Sequence, residues 1–435
     1  MRSFTFESLS PQEFDDFSFS DHEGNFQQTS AMAEVRRKDG AEVEFFGVRE
    51  DGKLVAATAL EYHHNGMSQF AQVHDGPLCD YHDTELVSFL FKELKSKAKK
   101  AGCAQMEITP EIPYLVRDSF GEELPKGPNA KWPLGTPIDA PVEADREAFD
   151  NIVAQGFEHS GFVREYTAVP RWRYLKDLHD IKDEAALLKS YNKNTKRNVR
   201  IANESGVIVR RAKREDLAEF HRLCELSGEK HGFENRSVEY FEQILDCLGD
   251  NAEYCIAYID TRAYLESWLE KRDGFQKEVQ RLEKSLPTAN KPARVERQLK
   301  DQRSKYEASL KRIEQAQKHI DEDGEMVPVS AALFIWHPQE CVYLFSGGDQ
   351  RYAKFYAATA LQHHAMLECI ERGVPSYNFY GIDGVFDDPK DPGYGVLEFK
   401  QGFNGYVEEL MGSFTLPVKP MAYAAKKLAH KVLGR

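Results

Sequence analysis

The chain has 435 residues, 41% of them hydrophobic, and a formal charge of −14; that length exceeds what one core usually serves, so two or three globular domains are expected. No apolar run approaches the ~18 to 20 residues of a membrane span, and residues 1–20 lack the basic and apolar blocks of a signal peptide, which points to a cytoplasmic protein. The acidic balance excludes a general nucleic-acid coat, because phosphate contacts are carried by Lys and Arg, and seven cysteines without CxxC or zinc spacing are expected to be reduced core thiols, with no metal site.

In chain order, the first clear element is a hairpin of apolar strands at 43–49 and 54–62, with Asp51-Gly52 as its tight turn. A third strand at 69–73 follows, then a turn at Gly76-Pro77, a helix over 84–101 closed by Gly102, and a strand at 105–108. The same order returns later. Strands at 252–260 and 326–336 lead to a third at 341–345, a turn at Gly347-Gly348, a helix over 352–372 closed by Gly373, and a strand at 376–380. The chain is therefore expected to be a duplicated mixed α/β unit, divided as 1–160 and as 161–260 plus 325–417.

The second hairpin carries residues 261–324 in place of its turn. Leu265, Trp268, Phe275, Val279, Leu282 and Leu286 follow a 3-4 alternation broken at Arg272, and Pro287 ends that helix. Val295, Leu299, Tyr306, Ile313 and Ile320 form a second stripe, weaker at Gln302, Ser309 and Ala316. An antiparallel coiled-coil arm is expected, with fifteen Lys and Arg against nine acids between Arg262 and Ile320. Such a surface serves either as a nucleic-acid contact or as a solvated face. The last segment, 418–435, reads as a basic amphipathic helix that packs on the second unit or touches an anionic membrane peripherally.

The repeated order resembles the GNAT acyltransferase fold, which implies a sheet splayed near its middle to admit a substrate. The turns that would meet a CoA pyrophosphate, HDGPLCDYHD and SGGDQRYAK, lack the Arg/Gln-x-x-Gly-x-Gly/Ala pattern, so CoA is not expected and no cofactor is implied. Residues 377–405 (YNFYGIDGVFDDPKDPGYGVLEFKQGFNG) are similar to the C-terminal signature of the FemABX transferases, a strand ending in Gly-Ile-x-Gly, a variable loop, then Phe-Lys-x-x-Phe-x-Gly. Three further matches fall in the family's order: 26–36 (FQQTSAMAEVR), Gly76-Pro77 and 194–206 (NTKRNVRIANESG). The inserted arm is also a feature of that family.

The FemABX resemblance implies transfer of an amino acid from aminoacyl-tRNA to an amine of a peptidoglycan stem peptide, presented as UDP-MurNAc-pentapeptide or as lipid II. It implies that Lys400, beside Phe399 in a segment read here as a strand, steadies the oxyanion, and that Arg36 is a phosphate-contacting cation. Arg236 and Tyr240 match an Arg-x-x-x-Tyr pair reaching the phosphates and sugar, and on a helix that spacing would place both on one face. Gly76, Pro77, Gly381 and Gly384 belong to the substrate-lining turns. Arg197 is expected to pack and cap helices, and a monomer is expected.

The chain also departs from the family pattern. His74-Asp75 stand where Pro-Arg is common, Met32 where a tryptophan is usual, and Thr109-Pro110 where many members have Asp-Pro. No general base carries over, and Glu107 and Glu111 read as solvated charges at a strand end. Two other readings stay open. A GNAT-like transferase acting on a small molecule or protein terminus is disfavoured by the missing CoA turn, and a noncatalytic tRNA-binding adaptor by the Phe399-Lys400 signature.

Overall fold

The computed structural model describes residues 2–65, 68–127, 132, 135–137, 142–166, 169–231, 234–424 and 427. Two twisted mixed sheets organise them. The first runs, edge to edge, through Phe4–Ser8, Glu42–Glu50, Lys53–Asn65, Ser68–Val73, Gln105–Ile108, Phe414–Pro417 and Glu158–His159, with Leu78–Cys79 against Lys53–Asn65. The second runs through Val207–Arg211, Ala252–Asp260, Met326–Trp336, Glu340–Gly348, Ser376–Ile382, Trp172–Asp177, Tyr406–Leu410 and Pro113–Arg117.

Local chemistry accounts for the repeated order. Asp51 and Gly52 both take positive φ, at 49° and 86°, as a two-residue hairpin turn requires. Asp83 caps the helix Thr84–Lys100 by accepting from the Leu86 amide, and Leu86, Val87, Leu90, Phe91, Leu94 and Ala98 turn inward at helical spacing. In each unit the third strand and the last strand pair in parallel for only three residues, 71–73 with 106–108 and 340–342 with 376–378. Beyond those residues the strands diverge. Each unit thus has the splay of a GNAT-like sheet, and the second unit's long helix differs from expectation in beginning at Ala357, after a 3-10 turn over Gln350–Phe355 and a left-handed Tyr356 at φ 55°.

The division of the chain differs from the one the sequence suggests. Pro113–Arg117 leaves the first unit to pair with Tyr406–Leu410 in the second sheet, and Phe414–Pro417 returns to fill the gap between Gln105–Ile108 and Glu158–His159 in the first. Each unit completes the other's sheet. Tyr406–Leu410 and Gln105–Ile108 thereby become interior strands with backbone donors and acceptors matched across the seam, and Pro113–Arg117 forms the outer edge of the second sheet. The C-terminal segment also follows the first unit, not the second: Lys419 Nζ donates to the Gly102 carbonyl at 2.7 Å, and Lys427 pairs with Glu158 at 2.8 Å. The basic stretch 428–435 lies outside the described residues. Among the described residues no helix is long and apolar enough to cross a membrane.

The helices Thr261–Ser285 and Pro292–Asp323 pack side by side in opposite directions. Their seam closes on small residues, since Ser309 and Ala316 are fully buried where larger apolar side chains would hold the helices apart. The base of the hairpin is docked. Tyr264 packs on Phe355 with ring centroids 5.0 Å apart, and Asp323 accepts from the Tyr352 hydroxyl at 2.6 Å and pairs with Arg351 at 3.0 Å. These aromatics belong to the second unit's core, so the base of the arm is structural. Tyr264→Ala should lower unfolding free energy by about 3 kcal/mol, the usual loss for an emptied aromatic site, whereas Leu310→Ser on the exposed face should stay within ~0.5 kcal/mol. Urea denaturation followed by circular dichroism measures both.

Candidate active site

Lys400 lies on the helix Tyr394–Gln401, not on the strand the sequence suggests. The helix points it inward, and it is only 4% exposed. Its ammonium donates to the Gly381 carbonyl at 2.6 Å and the Tyr380 carbonyl at 3.2 Å, leaving one N–H uncommitted to those partners. Tyr380 makes this possible by adopting φ 63°, held by a 2.8 Å bond from its amide to Asn378 Oδ1, so that consecutive carbonyls turn toward the lysine. Burial pushes Lys400 down to about 7, against the pull of Asp383. Phe399 is partly buried and packs on Phe403, at 5.4 Å between centroids.

Gly381 and Gly384 are fitted to tight places beside it. A Cβ on Gly381 would lie 2.9 Å from Pro170, and Gly384, at φ +79°, rests on the indole of Trp172, where a Cβ would approach to 2.6 Å. Gly76-Pro77 is a cis peptide, and Gly76 packs against the Gln28 side chain, which bonds the His74 carbonyl and the Ala59 amide.

The cations expected at the acceptor diphosphate meet at the seam. The helices Ser30–Lys38 and Val238–Leu248 pack together, with Gln243 Nε2 donating to the Val35 carbonyl at 2.8 Å. Arg236 precedes the second of these helices, ahead of its cap Ser237, so it does not share a helix face with Tyr240; its guanidinium instead lies over the Tyr240 ring at 5.2 Å. Burial raises the Tyr240 phenol, and both Arg236 and Arg36 oppose that rise.

Arg36 is committed inward. Its Nε lies 3.1 Å from Oε1 of the fully buried Glu61, and its other nitrogens bond Gln27. His63 and His74 also hold Glu61, at 3.0 and 2.8 Å. Burial would raise this carboxyl, but Arg36 and the two histidines keep it at about 2.

Four buried polar residues escape sequence reasoning. Arg173, on the inner strand Trp172–Asp177, is bonded by Glu111 and by Glu408 at 2.7 Å, so Glu111 is not a solvated strand-end charge. Lys176, fully buried on the same strand, donates to the Phe403 and Asn404 carbonyls at 2.9 Å each, just past the helix that carries Lys400. Asp75 is buried beside Thr109. The only signal in the sequence was an Arg and a Lys inside an otherwise apolar strand, WRYLKD. Arg197, by contrast, is exposed on the helix Lys193–Glu204.

Two α/β units complete each other's sheets, and a buried lysine in the second is held by two backbone carbonyls. The comparisons give this architecture a family. The FemAB family model matches residues 9–431, so this chain is a member of the FemAB family. It is 29% identical over 435 residues to the aminoacyltransferase FemA of Staphylococcus aureus strain bovine RF122 / ET3-1 and, equally, of strain N315, covering 99% of each chain. A solved structure titled as the crystal structure of FemX shares the fold, with a TM-score of 0.75 and 22% identity over 97% of this chain and 99% of that one.

The Arg36–Glu61 pair supplies a test of how much the seam depends on it. Arg36→Met should cost about 3 to 5 kcal/mol by stranding a buried carboxylate, and Arg36→Met/Glu61→Gln should recover part of that loss. With the folded value of Glu61 depressed to about 2, the pair stabilises fully above the ordinary carboxylate range and fails only as pH falls toward that value. The acid-unfolding midpoint of Arg36→Met should therefore move to higher pH, as read by fluorescence-monitored titration.

Proposed function

We propose that this protein is an aminoacyltransferase that moves an amino acid from aminoacyl-tRNA to an amine of a peptidoglycan stem peptide, presented on UDP-MurNAc-pentapeptide or lipid II, and so builds an interpeptide bridge. The observation that carries the reading is a FemAB match spanning residues 9–431 in a chain whose Phe399-Lys400 motif sets a buried ammonium on the Tyr380 and Gly381 carbonyls.

The chemistry is aminolysis of an ester. The amine attacks the carbonyl carbon, negative charge collects on the carbonyl oxygen, and the tRNA ribose oxygen leaves. An ester is activated enough for positioning and oxyanion stabilisation to supply most of the acceleration. Lys400 suits the second task because two carbonyls fix its ammonium and leave one N–H to donate. A site that is already dry strengthens that donation as charge develops. Arg236 and Tyr240 are proposed to hold the diphosphate. Arg36 assists from beneath through its field, with its hydrogen bonds already committed to Gln27 and Glu61. The arm, with its excess of Lys and Arg, is proposed to contact tRNA.

The direct experiment is incubation of the protein with charged tRNA and UDP-MurNAc-pentapeptide, reading the acceptor's mass and the loss of ester. Lys400→Met should reduce single-turnover transfer by about a hundred- to a thousandfold with little change in affinity for either substrate, and an Arg replacement should restore only part. A Lys400→Met enzyme within about threefold of wild type would remove the lysine from the mechanism. Arg236→Met should weaken binding of the UDP-linked precursor by about 1.5 to 3 kcal/mol in calorimetry.

A further inference from the structure

The strand Ala252–Asp260 lies inside the second sheet, and the helix Ala357–Arg372 packs over the face on which Cys255 is buried. Glu253 and Cys255 are two residues apart on that strand, so they share this face. On the helix, His364, Glu368 and Arg372 follow one another at four-residue spacing and form one stripe. The stripe meets the two strand residues. A carboxylate oxygen of Glu253, the Cys255 sulfur and a ring nitrogen of His364 all lie within 4.8 Å of one another, the one such meeting of three metal-ligating groups among the described residues.

One thiol, one imidazole and one carboxylate are the donor types zinc accepts, and magnesium and calcium do not take sulfur. With zinc bonds of ~2.0 to 2.3 Å in a tetrahedron, neighbouring ligand atoms stand about 3.3 to 3.6 Å apart. Cys255 Sγ and Glu253 Oε1 already stand 3.5 Å apart. The His364 side chain is 35% exposed, so it has room to close the remaining distance. The ligands are also oriented from behind, as metal ligands commonly are: Glu253 Oε2 accepts from Arg372 at 2.8 Å, and His364 Nε2 lies 3.2 Å from Glu368 Oε1. Arg372 in turn bonds Glu368 at 2.5 Å and rests on the Trp336 ring at 3.8 Å. Glu253 Oε1 is the group left short. Its side chain is 3% exposed, and its hydrogen bond among the described residues comes from a thiol, a weak donor. A divalent ion would satisfy that oxygen and be balanced by one carboxylate and one thiolate, with Glu368 and Arg372 cancelling each other.

We propose that Glu253, Cys255 and His364 bind a zinc ion that clamps the helix Ala357–Arg372 to the strand Ala252–Asp260, with water in the fourth position on the side that His364 leaves open. Binding replaces the thiol proton: the S–H bond breaks, the S–Zn bond forms, and the proton passes to the buffer without any change of oxidation state. The clamp lies at the root of the arm. The strand runs directly into the arm helix at Thr261, and the clamped helix follows the turn Gln350–Phe355, whose Tyr352 and Phe355 dock the arm's base. An ion there ties together the two elements from which the arm's base is held. The cysteine spacing gives no hint of such a site, because its ligands come from a strand and a helix far apart in the chain.

The test titrates the full chain, stripped with a chelator, with Zn²⁺ alone and with Co²⁺ alone. Wild type should take up one zinc per chain with submicromolar affinity and unfold at a higher temperature with zinc than without it. Its cobalt form should show a thiolate-to-cobalt charge-transfer band and the strong visible absorption of a tetrahedral site. Glu368→Gln, which removes an orienting group, should weaken zinc binding by about ten- to a hundredfold. His364→Ala removes a ligand from a partly exposed position and should weaken binding by more than Glu368→Gln does, and abolish the thermal shift. Cys255→Ser should lose the charge-transfer band, while Cys247→Ser, at a partly buried cysteine on another helix, should keep it. Wild type that binds no zinc, or a cobalt form without the charge-transfer band, overturns the proposal, and the latter assigns the metal to surface histidines and acids. A His364→Ala protein that binds zinc as tightly as wild type, or a band that survives in Cys255→Ser, overturns it equally. The wild-type readings need no variant to fold, and none of the readouts requires the transfer reaction.

Discussion

Arg173 sits inside the second sheet, and its charge is answered by Glu111 from the first unit and by Glu408 from the strand Tyr406–Leu410. An unmatched guanidinium at that depth would cost several kcal/mol, so the three segments that meet there cannot separate without stranding it. Much of the seam's arrangement follows. Glu111 is delivered by the loop that carries Pro113–Arg117 across to the second sheet, and Glu408 by the strand that pairs with it. The neighbouring pairs Arg117–Glu409 and Arg171–Glu409 repeat the pattern on the same strand. Strand exchange and charge matching are two descriptions of one junction.

The lysines illustrate how a buried cation is kept without a carboxylate. Lys176 and Lys400 each lie in the interior, each donates to two consecutive backbone carbonyls, and burial pushes each down to about 7. Carbonyl dipoles satisfy the N–H groups but only partly offset desolvation. Lys176 bonds the chain just beyond the helix Tyr394–Gln401, and Lys400 bonds the strand end before it. The C-terminal end of the helix is thereby held from two sides, and the lysine proposed to meet the oxyanion is aimed by a rigid frame, the condition for electrostatic stabilisation without reorganisation.

The seam also explains why an interior ion pair and a surface cation share the side proposed for the acceptor. Arg36 cannot leave Glu61 without exposing a buried carboxylate, whereas Arg236 rests on Tyr240 at the surface. One holds the helix that lines the junction, and the other is available to a ligand. A residue match by position does not separate these roles, because both are arginines in short motifs.

What the sequence determined by itself was the local order: both hairpins, the strand that follows each long helix, the helices closed by Gly102 and Gly373, and the helical insertion between Asp260 and Glu325. Each depends on turn chemistry or on a periodicity contained within one segment. The segment bearing Lys400 is a helix and not a strand because YGVLEFKQ has no strong local preference and packing of Leu397 and Lys400 decides its form. Only the tertiary structure decided which charges are buried. Glu111 looks like any strand-end acid until Arg173, 62 residues away, closes on it, and Asp75 looks like a turn residue until Thr109 meets it in the interior. The exchange of Pro113–Arg117 and Phe414–Pro417 between sheets was equally hidden, since a strand's partner is chosen by which edge remains open once the rest has folded.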